Sequence, residues 1–220
     1  NSVTFMENLI NDINQVSKDK KLVVFDLDGT LTESKADMAA EMAELLEGLF
    51  EKRLVAVIGG QEFQRFQEQF ISKLRTPPEA LKNLFLFPTT ATTFYKHDGS
   101  DWKEIYREEL SQEEKKKVME AFEKTFQKLN YQHPEKIYGE LIEDRGTQIT
   151  FSALGNQAPL EVKEKWNREN LDLRSKMEAV LQGYLPNMEA KVAGLTSIDV
   201  TRKGVDKGYG IRQISRYLNV

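Results

Sequence analysis

The chain has no cysteine and only two histidines among its 220 residues. The absence of cysteine excludes disulfides, cysteine-ligated zinc and thiol catalysis, and it fits a reducing compartment. No run of residues approaches the roughly 20 apolar residues that a membrane-spanning helix needs, and no charged-then-apolar signal segment opens the chain. We therefore expect a cytoplasmic protein that has no membrane partner.

An excess of positive charge is also lacking. The 31 basic and 35 acidic residues give a net charge of −4, and no basic block dominates the sequence. This charge balance argues against nucleic acid as a partner. The content of 40% hydrophobic and 30% charged residues is that of an ordinary globular protein, long enough for one large domain or two small ones.

The most informative stretch is an apolar run that ends in two acids, Lys21-Leu-Val-Val-Phe-Asp-Leu-Asp-Gly-Thr-Leu-Thr32. Residues two apart point the same way in a strand, so Asp26 and Asp28 are expected to enter one crevice at the strand's carboxyl end. Two neighbouring carboxylates favour a bound cation, and hard oxygen ligands favour Mg²⁺. One carboxylate can then attack phosphorus to form an aspartyl-phosphate, while the other transfers the proton.

Glycines near these acids predict where a phosphate would lie. Gly29 permits a tight turn, and the backbone N–H groups from Leu27 to Thr30 are expected to cradle phosphate oxygens. Gly59 and Gly60 follow the next apolar run and are expected to offer further N–H groups. The alternative is a strand that ends in a solvated acidic turn.

The hydrophobic pattern predicts an α/β fold. A helical pattern over residues 39–50 separates the first apolar run from the second, over 54–58, and a third run covers 84–87. Strand, helix and strand in this order indicate a Rossmann-like parallel sheet with covering helices. We predict a core formed by residues 1–87 and 200–220, with residues 88–199 inserted as an α+β domain.

The sequence resembles the haloacid dehalogenase (HAD) superfamily, and within it the class IIB proteins with a C2-type cap. Four stretches carry a closer resemblance to eukaryotic-type phosphomannomutases: the motif at Asp26, Val57-Ile-Gly-Gly-Gln-Glu-Phe63, the cap arginine Arg145, and Ser197-Ile-Asp199 with Gly204-Val-Asp-Lys-Gly208. The resemblance implies that Asp26 is the nucleophile, Asp28 the general acid/base and Lys207 the lysine of the third motif.

The resemblance also implies a metal site. In the family, Mg²⁺ is held by the first aspartate's carboxylate, the second aspartate's backbone carbonyl and a carboxylate of a fourth motif. Asp26 and Asp28 match the first two ligands, and the fourth motif is not found before Val220. We therefore expect the third ligand to lie beyond Val220.

Two lysines have both a functional and an ordinary interpretation. Lys207 opens a predicted helix after a glycine-containing turn, so it can place a positive charge beside Asp26 and the phosphoryl group; otherwise it is an exposed surface lysine. Lys35 stands where the mutases have a basic residue and is a candidate substrate contact; its alternative is a surface lysine at a helix start.

The predicted cap contains three candidate substrate-binding residues. Arg145 is either a clamp for a phosphate or carboxylate, or a hairpin-turn arginine paired with Asp144. Ser197 and Asp199 share one face of a strand. They either hydrogen-bond the hydroxyls of a sugar or lie on a solvated face.

The sequence departs from the family at three further places. Gly59-Gly60-Gln61 replaces the serine or threonine that many HAD enzymes place after the second strand. Thr89-Thr90-Ala91 replaces the mutases' Glu-Asn-Gly after the third strand, and Asn156 replaces a second cap arginine. The last two changes weigh against mutase activity, because a mutase must hold two phosphates in turn.

These observations predict a Mg²⁺-dependent phosphohydrolase that acts on a small phosphorylated metabolite, a sugar phosphate, through an aspartyl-phosphate. The alternative is a phosphohexomutase that returns the phosphoryl group to a second sugar hydroxyl. A non-catalytic phospho-aspartate switch and an inert scaffold are lower-ranked alternatives. The resemblance also admits a homodimer formed through the cap.

Overall fold

The computed structural model describes residues 21–33 and 36–218. Strands β1 to β9 are, in chain order, Leu22–Asp26, Leu54–Ile58, Leu84–Phe87, Thr93–His97, Trp102–Arg107, Ile142–Asp144, Ile149–Ser152, Met188–Ala193 and Ser197–Arg202. Helices α1 to α7 are, in chain order, Ala40–Phe50, Phe63–Gln69, Pro78–Leu81, Gln112–Lys128, Leu160–Glu169, Leu173–Tyr184 and Lys207–Leu218. In the described ranges, no helix is long and apolar enough to cross a bilayer.

The chain divides into two compact units. The first contains the described residues up to Tyr106 and from Lys207 onward, and the second contains Arg107–Asp206. The predicted insertion, residues 88–199, therefore begins too early and ends too soon. Residues 88–106 belong to the first unit because β4 pairs with β3, and β9 continues to Arg202, which pairs with Met188 in the second unit.

The first unit contains a five-stranded sheet in the order β1-β2-β3-β4-β5. Strands β1, β2 and β3 are parallel, as predicted, and β4 runs antiparallel to β3. The register places Asp26 opposite Ile58, and Ile58 opposite Phe87. The segments that follow these three residues therefore leave the same edge of the sheet, which is where ligands bind in open α/β sheets.

Both faces of this sheet are covered, which explains the continuous apolar runs of the parallel strands. Val55 and Val57 pack in a cluster with Leu46 and Phe50 of α1, whereas Ile58 lies in the cluster of the opposite face. That second cluster also contains Phe85, Phe87, Phe94 and Ile214 of α7. Burial of each such side chain stabilises the fold by about 1.5–3 kcal/mol, so α7 is anchored on the sheet by its apolar face.

The second unit contains an antiparallel sheet in the order β6-β7-β9-β8. Its apolar face, which includes Phe151, Ile198 and Val200, packs against the buried residues Phe122 of α4 and Leu181 of α6. Because side chains alternate along a strand, the intervening residues all lie on the opposite face. Apart from Ala193, those residues are polar, so the two faces of this sheet differ in chemistry.

Candidate active site

Asp26 and Asp28 lie where β1 meets a tight turn. Asp26 is the last residue of β1, and the next residue, Leu27, donates its N–H to the carbonyl oxygen of Ile58 at 3.1 Å. Gly29 has φ +77° and donates its N–H to the carbonyl oxygen of Thr32 at 2.8 Å. A left-handed φ suits glycine. The turn thus brings both carboxylates to the carboxyl edge of the parallel strands.

Lys207 is brought to Asp26 across 181 residues of sequence. Its Nζ lies 2.5 Å from Asp26 Oδ2, and the two side chains are 52% and 39% exposed. Asp26 Oδ1 accepts a hydrogen bond from the N–H of Leu27 at 2.9 Å. Each carboxylate oxygen therefore has a donor, which fixes the orientation of the group.

Gln61 also belongs to this cluster, and sequence reasoning did not assign it a role. Its side chain is buried, and its Nε2 lies 2.9 Å from Asp28 Oδ1 and 3.1 Å from Asp28 Oδ2. The same nitrogen lies 3.2 Å from Gln69 Oε1. The sequence signal that could have identified it is the glutamine at a position where the mutases have serine.

Four of the N–H groups that were predicted to cradle a phosphate are engaged in hydrogen bonds in this structure. The N–H groups of Leu27, Gly29, Thr30 and Gly59 donate to the carbonyl oxygens of Ile58, Thr32, Leu27 and Phe87, respectively. Gly60 follows Gly59 in the same loop. Tight turns satisfy their own backbone donors, so these four N–H groups would bind a phosphate only after those internal hydrogen bonds rearrange.

The segment after β3 has a strained backbone. Thr89, Thr90 and Ala91 have φ values of 47°, 58° and 68°, a conformation that costs about 1–2 kcal/mol for each non-glycine residue. Hydrogen bonds hold it: the N–H of Thr89 donates to Gln61 O and the N–H of Thr90 to Gly59 O, both at 2.8 Å. The loops after β2 and β3 are therefore tied together beside the acidic turn.

Arg145 is in the second unit, and its guanidinium is engaged. Nη2 donates to Glu143 Oε2 at 2.8 Å, and the arginine and glutamate side chains are 10% and 22% exposed. Asp144, the partner that the ordinary interpretation predicted, instead accepts from the N–H of Gly146 and pairs with Lys115. The partner differs because alternate residues of β6 face opposite sides of the sheet.

Ser197 and Asp199 lie on the polar face of the second sheet. Asp199 is buried and accepts a hydrogen bond from Thr150 Oγ1 at 2.8 Å, and the hydroxyls of Ser152 and Ser197 lie 3.1 Å apart. The alternative of a solvated strand face is therefore wrong for Asp199. The register also aligns four residues across the sheet: Glu143, Thr150, Asp199 and Lys191.

Lys35, the remaining predicted contact, lies outside the described residues. Lys191 faces Asp199 across the register and pairs with Glu189 at 2.8 Å. Its hydrogen bond with that glutamate raises the pKa of Lys191, so the lysine stays charged at neutral pH. The polar face thus carries fixed charges of both signs beside several hydroxyl groups.

The donor atoms near Asp26 fit a hard cation. The described residues contain no group of three or more histidine, cysteine, aspartate or glutamate side chains arranged to hold a metal. Mg²⁺ does not require such a cage, because it commonly binds one or two carboxylates and completes its octahedral shell with water and substrate phosphate. Asp26 and Asp28 provide oxygen donors of this kind.

Comparison with solved structures identifies the fold. An IMP-nucleotidase from Plasmodium falciparum matches with a TM-score of 0.64 and 14% identity, over 95% of this chain and 58% of that one. A haloacid dehalogenase-like hydrolase from Bacteroides thetaiotaomicron matches with a TM-score of 0.57 and 16% identity, over 92% and 78%. The chain therefore has the α/β fold of HAD proteins, as predicted, and spans less than two thirds of the nucleotidase.

Sequence comparison identifies the family. The model of the eukaryotic phosphomannomutase family matches residues 42–219. Phosphomannomutase of Encephalitozoon cuniculi is 27% identical over 90% of this chain and 76% of its own length. Human phosphomannomutase 1 is 27% identical over 87% and 72%. The chain belongs to the eukaryotic phosphomannomutase family, which confirms the predicted resemblance and the prediction of an enzyme of the phosphatase and phosphotransferase class.

Proposed function

We propose that this protein is a Mg²⁺-dependent phosphatase that hydrolyses a sugar phosphate through a phosphorylated Asp26. The observation that carries the proposal is the meeting of Asp26, Asp28 and Lys207 at one edge of the parallel sheet. In particular, the 2.5 Å contact between Lys207 and Asp26 joins residues that are remote in sequence. A fixed cation beside a carboxylate nucleophile suits phosphoryl transfer, in which positioning and charge stabilisation dominate catalysis.

In the first half of the reaction, a carboxylate oxygen of Asp26 forms a bond to phosphorus. The bond from phosphorus to the sugar oxygen breaks, and Asp28 donates its proton to that leaving oxygen. Lys207 stabilises the negative charge on the phosphoryl oxygens. The hydrogen bond from Leu27 N–H to Asp26 Oδ1 keeps the nucleophile in one orientation, which lowers the entropic cost of the attack.

In the second half, the now ionised Asp28 accepts a proton from water. The water oxygen attacks phosphorus, the bond to Asp26 breaks, and inorganic phosphate leaves. Asp26 returns as a carboxylate and Asp28 as an acid, so the cycle closes without any other reactant. Mg²⁺, bound by Asp26, the Asp28 carbonyl and phosphate oxygens, would offset the repulsion between the anionic nucleophile and the anionic substrate.

We further propose that the second unit, Arg107–Asp206, is the cap that selects the substrate. Its polar sheet face presents hydroxyl, carboxylate and ammonium groups that match the hydroxyls of a sugar. Asp199 and Thr150 are hydrogen-bonded to each other, so they form a preorganised pair of acceptors and donors. In this proposal Ser197 and Arg145 contact the same ligand, and Arg145 exchanges part of its bond with Glu143 for a bond to the substrate.

Family membership favours one second candidate, a phosphohexomutase. A mutase would transfer the phosphoryl group from Asp26 to another hydroxyl of the sugar instead of to water. Its turnover would require a hexose bisphosphate activator, whereas a phosphatase would not. Measuring product formation from a hexose phosphate with and without such an activator separates the two candidates.

The phosphorylated intermediate is directly testable. After rapid mixing with a hexose phosphate and Mg²⁺, acid-quenched protein should carry one phosphoryl group on Asp26, located by mass spectrometry after reductive trapping with borohydride. Asp26→Asn should carry none and should show no turnover. Turnover by a clean preparation of Asp26→Asn would refute the covalent route. A wild-type chain that is phosphorylated but does not turn over would instead indicate a phospho-aspartate switch.

A further inference from the structure

Gln61 differs from Lys207 and Leu27, which contact Asp26, because its side chain contacts Asp28. It lies just after β2, and its side chain is buried and bridges Asp28 and Gln69. A buried carboxamide has four hydrogen-bonding positions to satisfy. The Asp28 carboxylate satisfies part of this requirement by accepting from the amide of Gln61.

The direction of the hydrogen bonds follows from the acceptor. An ionised aspartate only accepts, so the group facing Asp28 must be the amide nitrogen of Gln61. Two N–H bonds meet three acceptors: one points to Gln69 Oε1, and the other is shared between Asp28 Oδ1 and Oδ2, at 2.9 and 3.1 Å. Gln61 therefore holds the carboxylate of Asp28 by both oxygens.

Gln61 is itself fixed from two sides. The N–H of Thr89 donates to its backbone carbonyl oxygen at 2.8 Å. Gln69, at the end of α2, holds its side-chain nitrogen and is also buried. Because its backbone and its side chain are both held, Gln61 has a defined position and can hold the Asp28 carboxylate in a defined orientation.

We infer that Gln61 is a positioning residue that orients Asp28 for proton transfer in both halves of the reaction. The inference rests on the proposed role of Asp28 as general acid and base. When one oxygen of Asp28 is protonated, the other still accepts from Gln61, so the contact persists through the cycle. A shared N–H that serves either oxygen suits a group that alternates between acid and base.

The inference predicts an effect that depends on the leaving group. A sugar alkoxide leaves poorly and needs a proton from Asp28, whereas p-nitrophenolate leaves without one. With enzyme in excess over substrate, release of the leaving group reports only the first transfer. Gln61→Met keeps the size of the side chain and removes the N–H donors. We expect it to slow release from a hexose phosphate by about 10–100-fold, because misplacement of a catalytic group by 1 Å costs about that much. Release from p-nitrophenyl phosphate should change by less than about threefold.

The matched control is Gln64→Met. Gln64 lies on the same helix as Gln69, but it is exposed and bonds to Glu68, so both release rates should stay at the wild-type values. Equal slowing of both substrates by Gln61→Met would overturn the inference and leave Gln61 as a structural residue. An inactive wild-type chain would refute the proposed function and, with it, the role of Gln61.

A measurement of the contact itself does not depend on activity. The side-chain ¹H–¹⁵N resonances of Gln61, assigned as those lost in Gln61→Met, should shift on replacement of Asp28 by asparagine, while those of Gln64 stay in place. Side-chain resonances of Gln61 that keep their chemical shifts in Asp28→Asn would overturn the inference. This outcome is decisive even if Gln61→Met proves too unstable for kinetics.

Discussion

Replacing Lys207 with alanine should lower kcat for a hexose phosphate by about 10²–10³-fold and barely change the stability of the fold. Lys207 begins α7 and contacts Asp26 at 2.5 Å, and both side chains are partly exposed to solvent. Exposed ion pairs contribute about 0–1 kcal/mol to folding. Lys207 is therefore expected to matter to catalysis far more than to stability.

The distance sets bounds on the electrostatic energy that Lys207 can supply to a neighbouring negative charge. Two unit charges 2.5 Å apart interact by about 2 kcal/mol at the dielectric constant of water and by about 7 kcal/mol at an effective value of 20. Solvent exposure places this pair toward the lower figure. Loss of one preorganised group that stabilises developing charge costs about 2.7–4 kcal/mol, which lies inside that range and corresponds to the expected decrease in kcat.

The assay is release of inorganic phosphate at saturating hexose phosphate, with the melting temperature measured on the same samples. Lys207→Arg, which keeps the charge, should retain more activity than Lys207→Ala. Lys203→Ala removes a neighbouring exposed lysine and should leave kcat unchanged. A decrease in kcat of less than threefold in Lys207→Ala, or a decrease that parallels a large drop in melting temperature, would refute the reasoning.

Three further predictions test other parts of the molecule. Asp199→Ala should reduce kcat/KM for the hexose phosphate and leave hydrolysis of p-nitrophenyl phosphate nearly unchanged, because binding energy from the sugar is used only by substrates that contain one; equal losses would indicate a purely structural residue. Gly210→Ala should lower the free energy of unfolding of the first unit, measured by chemical denaturation, by about 1–3 kcal/mol, because the added Cβ would lie 2.8 Å from the Cβ of Ala91. A second change, Ala91→Gly, should restore stability, and failure to do so would contradict this packing. Arg202→Met should destabilise the fold by about 1–2 kcal/mol at pH 7, because hydrogen bonds from Arg202, and then from the Ser111 N–H, lower the pKa of Glu114 from 4.5 to about 2. A carboxyl group with a lowered pKa stabilises the fold above pH 4.5, and this stabilisation is lost as the pH falls toward 2. The difference in melting temperature between Arg202→Met and wild type should therefore shrink over that interval. A constant difference would exclude the ion pair as its cause.

Sequence reasoning succeeded best where local pattern and burial agree. The apolar run before Asp26 and the run over 54–58 were predicted to be buried parallel strands, and the structure has them in parallel register. The insertion boundary was harder to predict. The alternating pattern of residues 93–97 and the turn that follows them favoured a strand of the inserted domain. In the structure, this strand instead pairs with β3 at the side of the parallel strands. Pairing between strands is a tertiary choice that a local pattern leaves open.

The sequence by itself determined the acidic turn and the chemistry that it suits, because Asp26, Asp28 and Gly29 lie within four residues of each other. Only the tertiary structure decided what surrounds them. It brought Lys207 to Asp26, placed the Gln61 amide against Asp28, and engaged four of the N–H groups that were expected to hold phosphate. The physical reason is that periodicity shows which side of an element is buried, whereas the partner of a polar side chain depends on how distant elements pack.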